Sequence, residues 1–315
     1  MIGSDIGKAR RLLKRGEVVA IPTETVYGLA ANAFDADAVL RIFEIKQRPS
    51  FDPLIVHIGR MEQLRDVAAN IPAQAQALID RFWPGPLTLV LQKQRRVPDV
   101  VTSGLDTVGV RMPAHPMALE LLRSLDFPLA APSANPFGYV SPSNAQHVED
   151  QLGALVPYIL DGGACDVGVE STIIGFDPEP VLYRAGGVPL EDIEAAIGPL
   201  GVPPSSQGED PGMRSPGMLA SHYAPRIPVI VGDVQALLHH HAGKRIGIIS
   251  FMQDHRADTN AVLSPGGDAH EAARNLFAAL RRLDTSGVQV ILAEVFPEHG
   301  LGRAINDRLR RAAAR

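Results

Sequence analysis

The chain has 315 residues, of which 45% are hydrophobic and 21% charged, enough apolar material for one large or two smaller cored domains. Its formal net charge of −5 excludes a global positive field that would hold a nucleic-acid backbone, so a basic site must be a local concentration of charge. The single cysteine, Cys165, excludes an intrachain disulfide and a metal site built on cysteine pairs, and it points to a reduced, cytoplasmic compartment.

Residues 1–15 are polar and basic and do not read as a signal peptide. No apolar run reaches the roughly 20 residues of a membrane span. Residues 4–14 read as a capped helix stopped by Gly16, and residues 16–22 as a buried strand. Residues 37–45 place Val39, Leu40, Ile42, Phe43 and Ile45 on one helical face. A short apolar strand at 54–58 precedes a helix that begins at Pro72 and runs to Phe82. Strands at 87–92 and 108–112, a helix at 115–125 and a strand end at 129–131 follow. Ser143 and Gln146 have capping-box spacing for the next helix. Residues 158–160, 171–176 and 181–184 complete the strands. Several of these strands are separated by short loops, which predicts a mixed, twisted α/β sheet rather than a purely parallel one.

Residues 198–228 hold seven prolines and five glycines, so no regular helix or central strand persists there. This stretch reads as an interdomain linker, with domains at 1–204 and 228–315 and the connection at 205–227. Its segment HYAP, 222–225, is aromatic and unlike a plain spacer. Beyond it come a strand at 229–231, a helix to His240, a strand at 245–251, a helix at 269–283, a strand at 288–293 and a helix from Gly302. Asp268 and Glu271 have capping-box spacing, and Ala273, Leu276, Phe277, Leu280 and Leu283 line one face. This alternation implies a small parallel, Rossmann-like α/β domain.

The familiar phosphate loops are absent. There is no GxxxxGK[ST], and Gly300-Leu301-Gly302 lacks the third glycine. Chemistry-bearing residues fall instead into scattered groups. Thr25 leaves a strand, where a hydroxyl serves either a small polar ligand or the turn itself. Lys46 and Arg48 follow a helix, suited either to phosphate oxygens or to the helix dipole. His57 interrupts an apolar strand, as a core histidine or a ligand contact. Arg111 alternates with Val108 and Val110 on a strand, and its charge requires a protein or ligand carboxylate. Residues 132–136 (PSANP) and 141–143 (SPS) suit an anion or a proline-rich turn. A fourth group joins Asp161, Glu170, Ser171, Thr172 and Arg184. His239, His240 and His241 point about 100° apart on a helix end and cannot share a metal. Cys165 reads as a loop residue rather than a nucleophile.

Taken together and in order, PTETVYGLA at 22–30, KQRP at 46–49, PLIVHI at 53–58, FWPGPLTLVL at 82–91, TVGVRMP at 107–113, APSAN at 131–135, ESTII at 170–174 and YRAG at 183–186 resemble the YrdC-like family. SPGMLASHYAP at 215–225 and the small domain resemble its long, two-domain synthase form. The resemblance implies a YrdC-like catalytic domain at 1–204. It also implies a nucleotidyltransferase that makes threonylcarbamoyl-AMP and pyrophosphate from ATP, L-threonine and bicarbonate, for tRNA threonylcarbamoyladenosine modification. Mg²⁺ comes with the ATP, and no protein metal site is implied. The resemblance places Lys46 and Arg48 as catalytic and nucleotide-binding residues, with Ser133, Ser141 and Arg184 beside them and Thr107 and Asn135 joining. Thr25, His57, Arg111, Ala131 and Ser171 surround threonine. The linker becomes a lid whose Tyr223 contacts nucleotide. Similar proteins commonly carry Asn where this chain has Asp52, so Asp52 is either a changed nucleotide contact or turned away. The implied partners are small-molecule substrates and downstream tRNA threonylcarbamoyl-transfer proteins, with a weak RNA contact and no membrane. Three other readings stand beside this one. They are a non-catalytic, double-stranded RNA-binding YrdC-like protein, a carbamoyl-transfer enzyme of hydrogenase maturation (which a single cysteine argues against) and a paralogue of different activity.

Overall fold

The computed structural model describes residues 1–176, 179–201, 222–255 and 257–314. Residues 205–221, most of the expected linker and lid, lie outside the described residues. The chain opens with β1 (Ile2–Gly3), α1 (Ile6–Lys14), β2 (Val19–Ile21), β3 (Gly28–Asn32), α2 (Ala36–Lys46), β4 (Ile55–His57), α3 (Glu62–Val67) and α4 (Ala73–Phe82). It continues through β5 (Leu87–Gln92), α5 (Asp99–Thr102), β6 (Thr107–Arg111), α6 (Pro116–Arg123), β7 (Leu129–Ala130) and α7 (Ala145–Leu152). β8 (Ile159–Leu160), β9 (Thr172–Phe176), β10 (Pro180–Arg184) and α8 (Leu190–Ile197) end the first part. The second part holds β11 (Val229–Val231), α9 (Val234–His240), β12 (Ile246–Ser250), β13 (Thr259–Val262), α10 (Ala269–Thr285), β14 (Val290–Ala293) and α11 (Gly302–Ala313).

The strands form two sheets, as the α/β reading expected. The large one is mixed, in the order β1-β8-β2-β3-β7-β4-β6-β5-β9-β10. The small one, β11-β14-β12-β13, is parallel throughout. β1, β3 and β13 are strands that the pattern did not reveal, and β3 is the one beside the site. Its sequence GLAAN lacks the β-branched residues that mark a strand, and it is held by antiparallel ladders to β2 on one side and β7 on the other. Gly28 at its start permits a close approach. A Cβ there would meet the Ala131 Cβ at 3.2 Å and the Pro132 carbonyl oxygen at 3.5 Å, so glycine lets the 131–133 loop lie against β3.

Helix signals resolved in detail. α1 is capped by Asp5, whose side chain accepts from the Lys8 amide, rather than by Ser4. α7 is capped by Asn144, accepting from the His147 amide, so the expected Ser143 box does not form. At α10, Asp268 caps as expected by accepting from the His270 amide, but Glu271 takes the Ser264 hydroxyl instead of closing a box.

α10 presents its apolar stripe to more than its own sheet. Leu276, Phe277 and Leu280 are fully buried in one cluster with Val26, Val140 and Val169 from the large-sheet part and with Tyr223. Arg281 on the same helix donates to the carbonyls of Val140 and Ser141 and to the Gln151 side chain. The two parts therefore share a core at the loops that carry Ser141 and Glu170. Phe277→Ala is expected to cost about 3–5 kcal/mol, the range for truncating a buried aromatic. Chemical denaturation checks it, and a loss below about 1 kcal/mol would mean that Phe277 supports no shared core.

Candidate active site

A cavity of about 60 Å³ opens where the ends of β4, β6 and β9 meet the loops after β2, β7 and α2. That is room for roughly four to six water molecules. Its lining includes the residues expected around threonine, Thr25, His57, Arg111, Ala131 and Ser171 (the first side), together with Arg48, Ser133, Arg184, His222 and Tyr223 (the second).

On the first side, parallel pairing of β4 and β6 sets His57 beside Arg111. Arg111 is buried, and its required carboxylate is Glu24, 2.6 Å from Nη2. Its Nη1 donates to Thr25 Oγ1 at 2.8 Å and its Nε to the Gly85 carbonyl at 3.2 Å. Thr23 Oγ1 spends its proton on the Val26 carbonyl, so the 2.8 Å contact between Thr25 and Thr23 has Thr25 as donor. One chain of donors thus runs from Arg111 through Thr25 to Thr23 and fixes all three. Ser171 is held by Thr88 Oγ1 at 2.8 Å and by Arg184, which donates to its hydroxyl and its carbonyl.

His57 Nδ1 lies 3.2 Å from the Ile55 carbonyl, which can only accept, so Nδ1 carries the proton and Nε2 is an acceptor. Burial, with Arg111 adding to it, pushes the His57 pKa down to about 3. Burial likewise pushes His222 down to about 3 and His147 down to about 4. These folded values lie below the ordinary 6.5, so the unfolded chain binds more protons in between. The histidine contribution is present at neutral pH and lost as pH falls from about 6.5 toward 3. Glu170, held below its usual range, adds in the same sense, while Asp52, raised by burial, opposes it. Thermal midpoints are expected to drop steadily between pH 6.5 and pH 4, with each fully buried histidine worth roughly 2 kcal/mol at pH 5. A flat profile would mean that these rings are not buried neutral.

On the second side, Asp35 caps α2 by accepting from the Asp37 and Ala38 amides, and Gln47 ends the helix at φ 51°. Lys46 in the last turn is buried and points inward. It donates to the Ser133 and Asn135 carbonyls at 2.6 and 2.5 Å, across the fold rather than to its own helix end. Burial, reinforced by Arg48, holds the Lys46 ammonium pKa well below its ordinary value. Arg48 donates to the Asp52 and Pro53 carbonyls and sits 5.8 Å from the Phe137 ring centroid. Asp52 is fully buried, 2.7 Å from Arg48 Nη2, and does not line the cavity. Ser141 donates to Glu170 Oε1 at 2.5 Å. Burial pushes Glu170 up, but Arg308 and Arg184 more than offset this and leave it low.

Tyr223 and His222 cover this side. Tyr223 is buried with φ 63°, a left-handed backbone that an aromatic residue rarely adopts, and its ring meets His222, Phe277 and the Arg308 guanidinium.

The structure does not bring every expected residue to the cavity. Thr107 lies four residues before Arg111 on β6, about 13 Å along the strand, in a separate recess with Gln92 and Phe176. The Asn135 amide donates to the Pro136 and Tyr139 carbonyls and braces its own loop. Cys165 is buried, and burial with nearby Glu24 raises its thiol beyond any reactive range. Thr23, Glu170 and His222 line the cavity and Glu24 stands behind Arg111, although none was expected to bind a substrate and only Glu170 had been read as part of a chemistry-bearing group. Three carboxylates stand near the cavity, and each is tied to an arginine: Glu24 to Arg111, Asp52 to Arg48 and Glu170 to Arg308. Among the described residues no group of three His, Cys, Asp or Glu gathers to hold a metal.

Residues 11–186 match the family model Sua5_yciO_yrdC, described as telomere recombination. Residues 188–314 match a model described as threonylcarbamoyl-AMP synthase, C-terminal domain. The chain is 47% identical to threonylcarbamoyl-AMP synthase of Pyrococcus abyssi, covering 97% of this chain and 93% of that one. It is 44% identical to threonylcarbamoyl-AMP synthase of Bacillus subtilis, covering 98% and 92%. Its fold superposes on the crystal structure of P. abyssi Sua5 complexed with L-threonine, with a TM-score of 0.93, 47% identity, and coverage of 98% and 94%.

Proposed function

Because the chain belongs to the Sua5–YciO–YrdC family, we propose that its cavity forms threonylcarbamoyl-AMP and pyrophosphate from ATP, L-threonine and bicarbonate. One observation carries this reading. The cavity joins fixed hydroxyls and one buried arginine to buried cations, and among its described residues no nucleophile–base pair stands between them.

Threonine occupies the first side. Its carboxylate approaches Arg111 and Ser171, and its polar groups meet Thr25 and the His57 Nε2 lone pair. With its pKa near 3, His57 is too weak a base to take the amine's proton and serves as an acceptor only. The threonine nitrogen bonds to the carbon of carbon dioxide and releases a proton to solvent; with bicarbonate the same bond formation expels hydroxide, which takes that proton and leaves as water. A carboxylate oxygen of the resulting carbamate attacks the α-phosphorus. The bond to the bridging oxygen breaks and pyrophosphate leaves.

The protein aligns these partners and neutralises charge at phosphorus. Arg48 and Arg184 face the phosphates, while Lys46 sets the 133–135 loop behind them. Mg²⁺ fits here only as a phosphate-borne ion, since the nearby carboxylates are committed to arginines. When bound it supplies further neutralisation of the triphosphate.

A cavity of about 60 Å³ is on the scale of an amino acid, not of ATP. Nucleotide binding therefore displaces His222 and Tyr223, which then close over the adenylate and exclude water. The residue ranges 1–204, 205–227 and 228–315 serve in this reading as catalytic domain, lid-bearing connection and small domain. The product passes to proteins that modify tRNA in the cytoplasm. No helix among the described residues is long and apolar enough to cross a membrane.

Pyrophosphate release tests the reading. It is expected only when ATP, threonine and bicarbonate are all present. RNA binding without such release would favour the non-catalytic alternative.

A further inference from the structure

The last helix of the small domain reaches into the site. Arg308 on α11 is the largest fully buried side chain among the described residues. Its Nε lies 2.8 Å from Glu170 Oε2, and its Nη1 donates to the Ala185 carbonyl at 2.8 Å and to Asp307 at 2.7 Å. Its guanidinium stands 5.2 Å from the Tyr223 ring centroid. Its Nη2 is buried without a hydrogen-bond partner, a cost that interface packing by an apolar residue would avoid.

Glu170 is a wall of the cavity, and its other oxygen takes the Ser141 proton. It also precedes Ser171 directly. The chain is pinned there by Gly186, where a Cβ would collide at 2.3 Å with the Glu170 carbonyl and the Ser171 carbonyl carbon. One carboxylate thus links the expected nucleotide-side hydroxyl to the threonine-side hydroxyl, and its counter-charge comes from a different domain. Without Arg308, the Glu170 carboxylate would face the triphosphate with only Arg184 left to offset its charge.

We infer that Arg308 is a positioning residue for the reaction: it neutralises and orients Glu170, and through it Ser141, so that the nucleotide side is complete only with the small domain docked. This rests on the function proposed above. Arg308 touches no reacting atom in this scheme.

A double-mutant cycle tests it, read by calorimetry with a non-hydrolysable ATP analogue and by KM and kcat for ATP. Arg308→Met should weaken the analogue and raise KM for ATP by about tenfold or more, because it removes the ion-pair partner of a buried carboxylate, with kcat at saturation falling less than about fivefold. Glu170→Gln, whose amide oxygen can still accept from Ser141 while carrying no charge, should weaken the analogue less than Arg308→Met does. The double variant should bind the analogue more tightly than Arg308→Met alone, because the orphaned charge is gone. Unchanged analogue binding in Arg308→Met, or a double variant as impaired as Arg308→Met, would overturn the inference and leave a structural role. Should Arg308→Met be insoluble, a soluble, binding-competent double variant supports the inference, and an insoluble double variant counts against it. Analogue binding that follows the expected cycle in a protein making no adenylate would sink the functional reading and spare this one.

Discussion

Arg111→Leu is expected to lower kcat/KM for threonine by about a hundredfold or more, the largest effect of any single substitution on the threonine side. Arg111 is the hub of that wall. It is paired with Glu24, donates to Thr25, and is anchored on Gly85. Breaking a buried pair by removing one partner costs about 3–5 kcal/mol, because the remaining charge is stranded. Part of that cost falls on stability and part on threonine. Adding Glu24→Gln separates the two: it removes the stranded charge and should restore the thermal midpoint without restoring threonine affinity. Arg111→Lys should fail as well, since one ammonium cannot serve three partners in a planar fork. Steady-state pyrophosphate release against threonine concentration measures this. A KM for threonine near the parent value in Arg111→Leu would remove the residue from the substrate site.

Lys46→Ala is expected to lower turnover at least tenfold, or about 1.4 kcal/mol of barrier, with Arg48→Ala falling at least as far. The two residues act differently. Arg48 faces the cavity, whereas Lys46 is spent on the Ser133 and Asn135 carbonyls. Hydrogen bonds from a charged donor are worth about 1.5–3 kcal/mol each, so losing both frees the loop that carries Ser133. Lys46→Met, which keeps the apolar stem, should be as inactive as alanine while melting closer to the parent. Rates within about threefold of the parent would mean that the cation cluster only holds the fold.

The order of short motifs made the architecture legible. Strand and helix patterns placed Lys46 at a helix end and His57 and Arg111 on strands, as the structure has them, while Ser171, expected at a strand start, lies immediately before β9. Arg111 could be read as needing a carboxylate, because a strand charge cannot stay buried alone. Which carboxylate could not be read. Glu24 lies 87 residues away in the chain, and Glu170 lies 138 residues from Arg308. No local period reports pairs at that distance. A signal for Glu24 did exist, in its place between Thr23 and Thr25 in the loop that meets Arg111.

β3 was illegible for a different reason. Small residues make it a strand only because β2 and β7 supply its ladders. β13, TNAV, is similar, as it pairs in parallel with β12 alone. Thr107 was over-read. It shares a motif with Arg111, but four residues of extended chain carry it away from the cavity. Asp52, where the family resemblance led to an expectation of Asn, lies behind Arg48, within the cation cluster but off the cavity wall. It tempers the cluster's charge from inside.

One measurement bears most directly on the central claim. The protein is incubated with ATP, L-threonine, Mg²⁺ and ¹³C-bicarbonate, and the adenylate is analysed by mass spectrometry. The account predicts threonylcarbamoyl-AMP carrying the heavy carbon in its carbamate, formed together with pyrophosphate and lost when Arg111 is replaced by leucine. An adenylate of threonine lacking that carbon, or no adenylate at all, would contradict it.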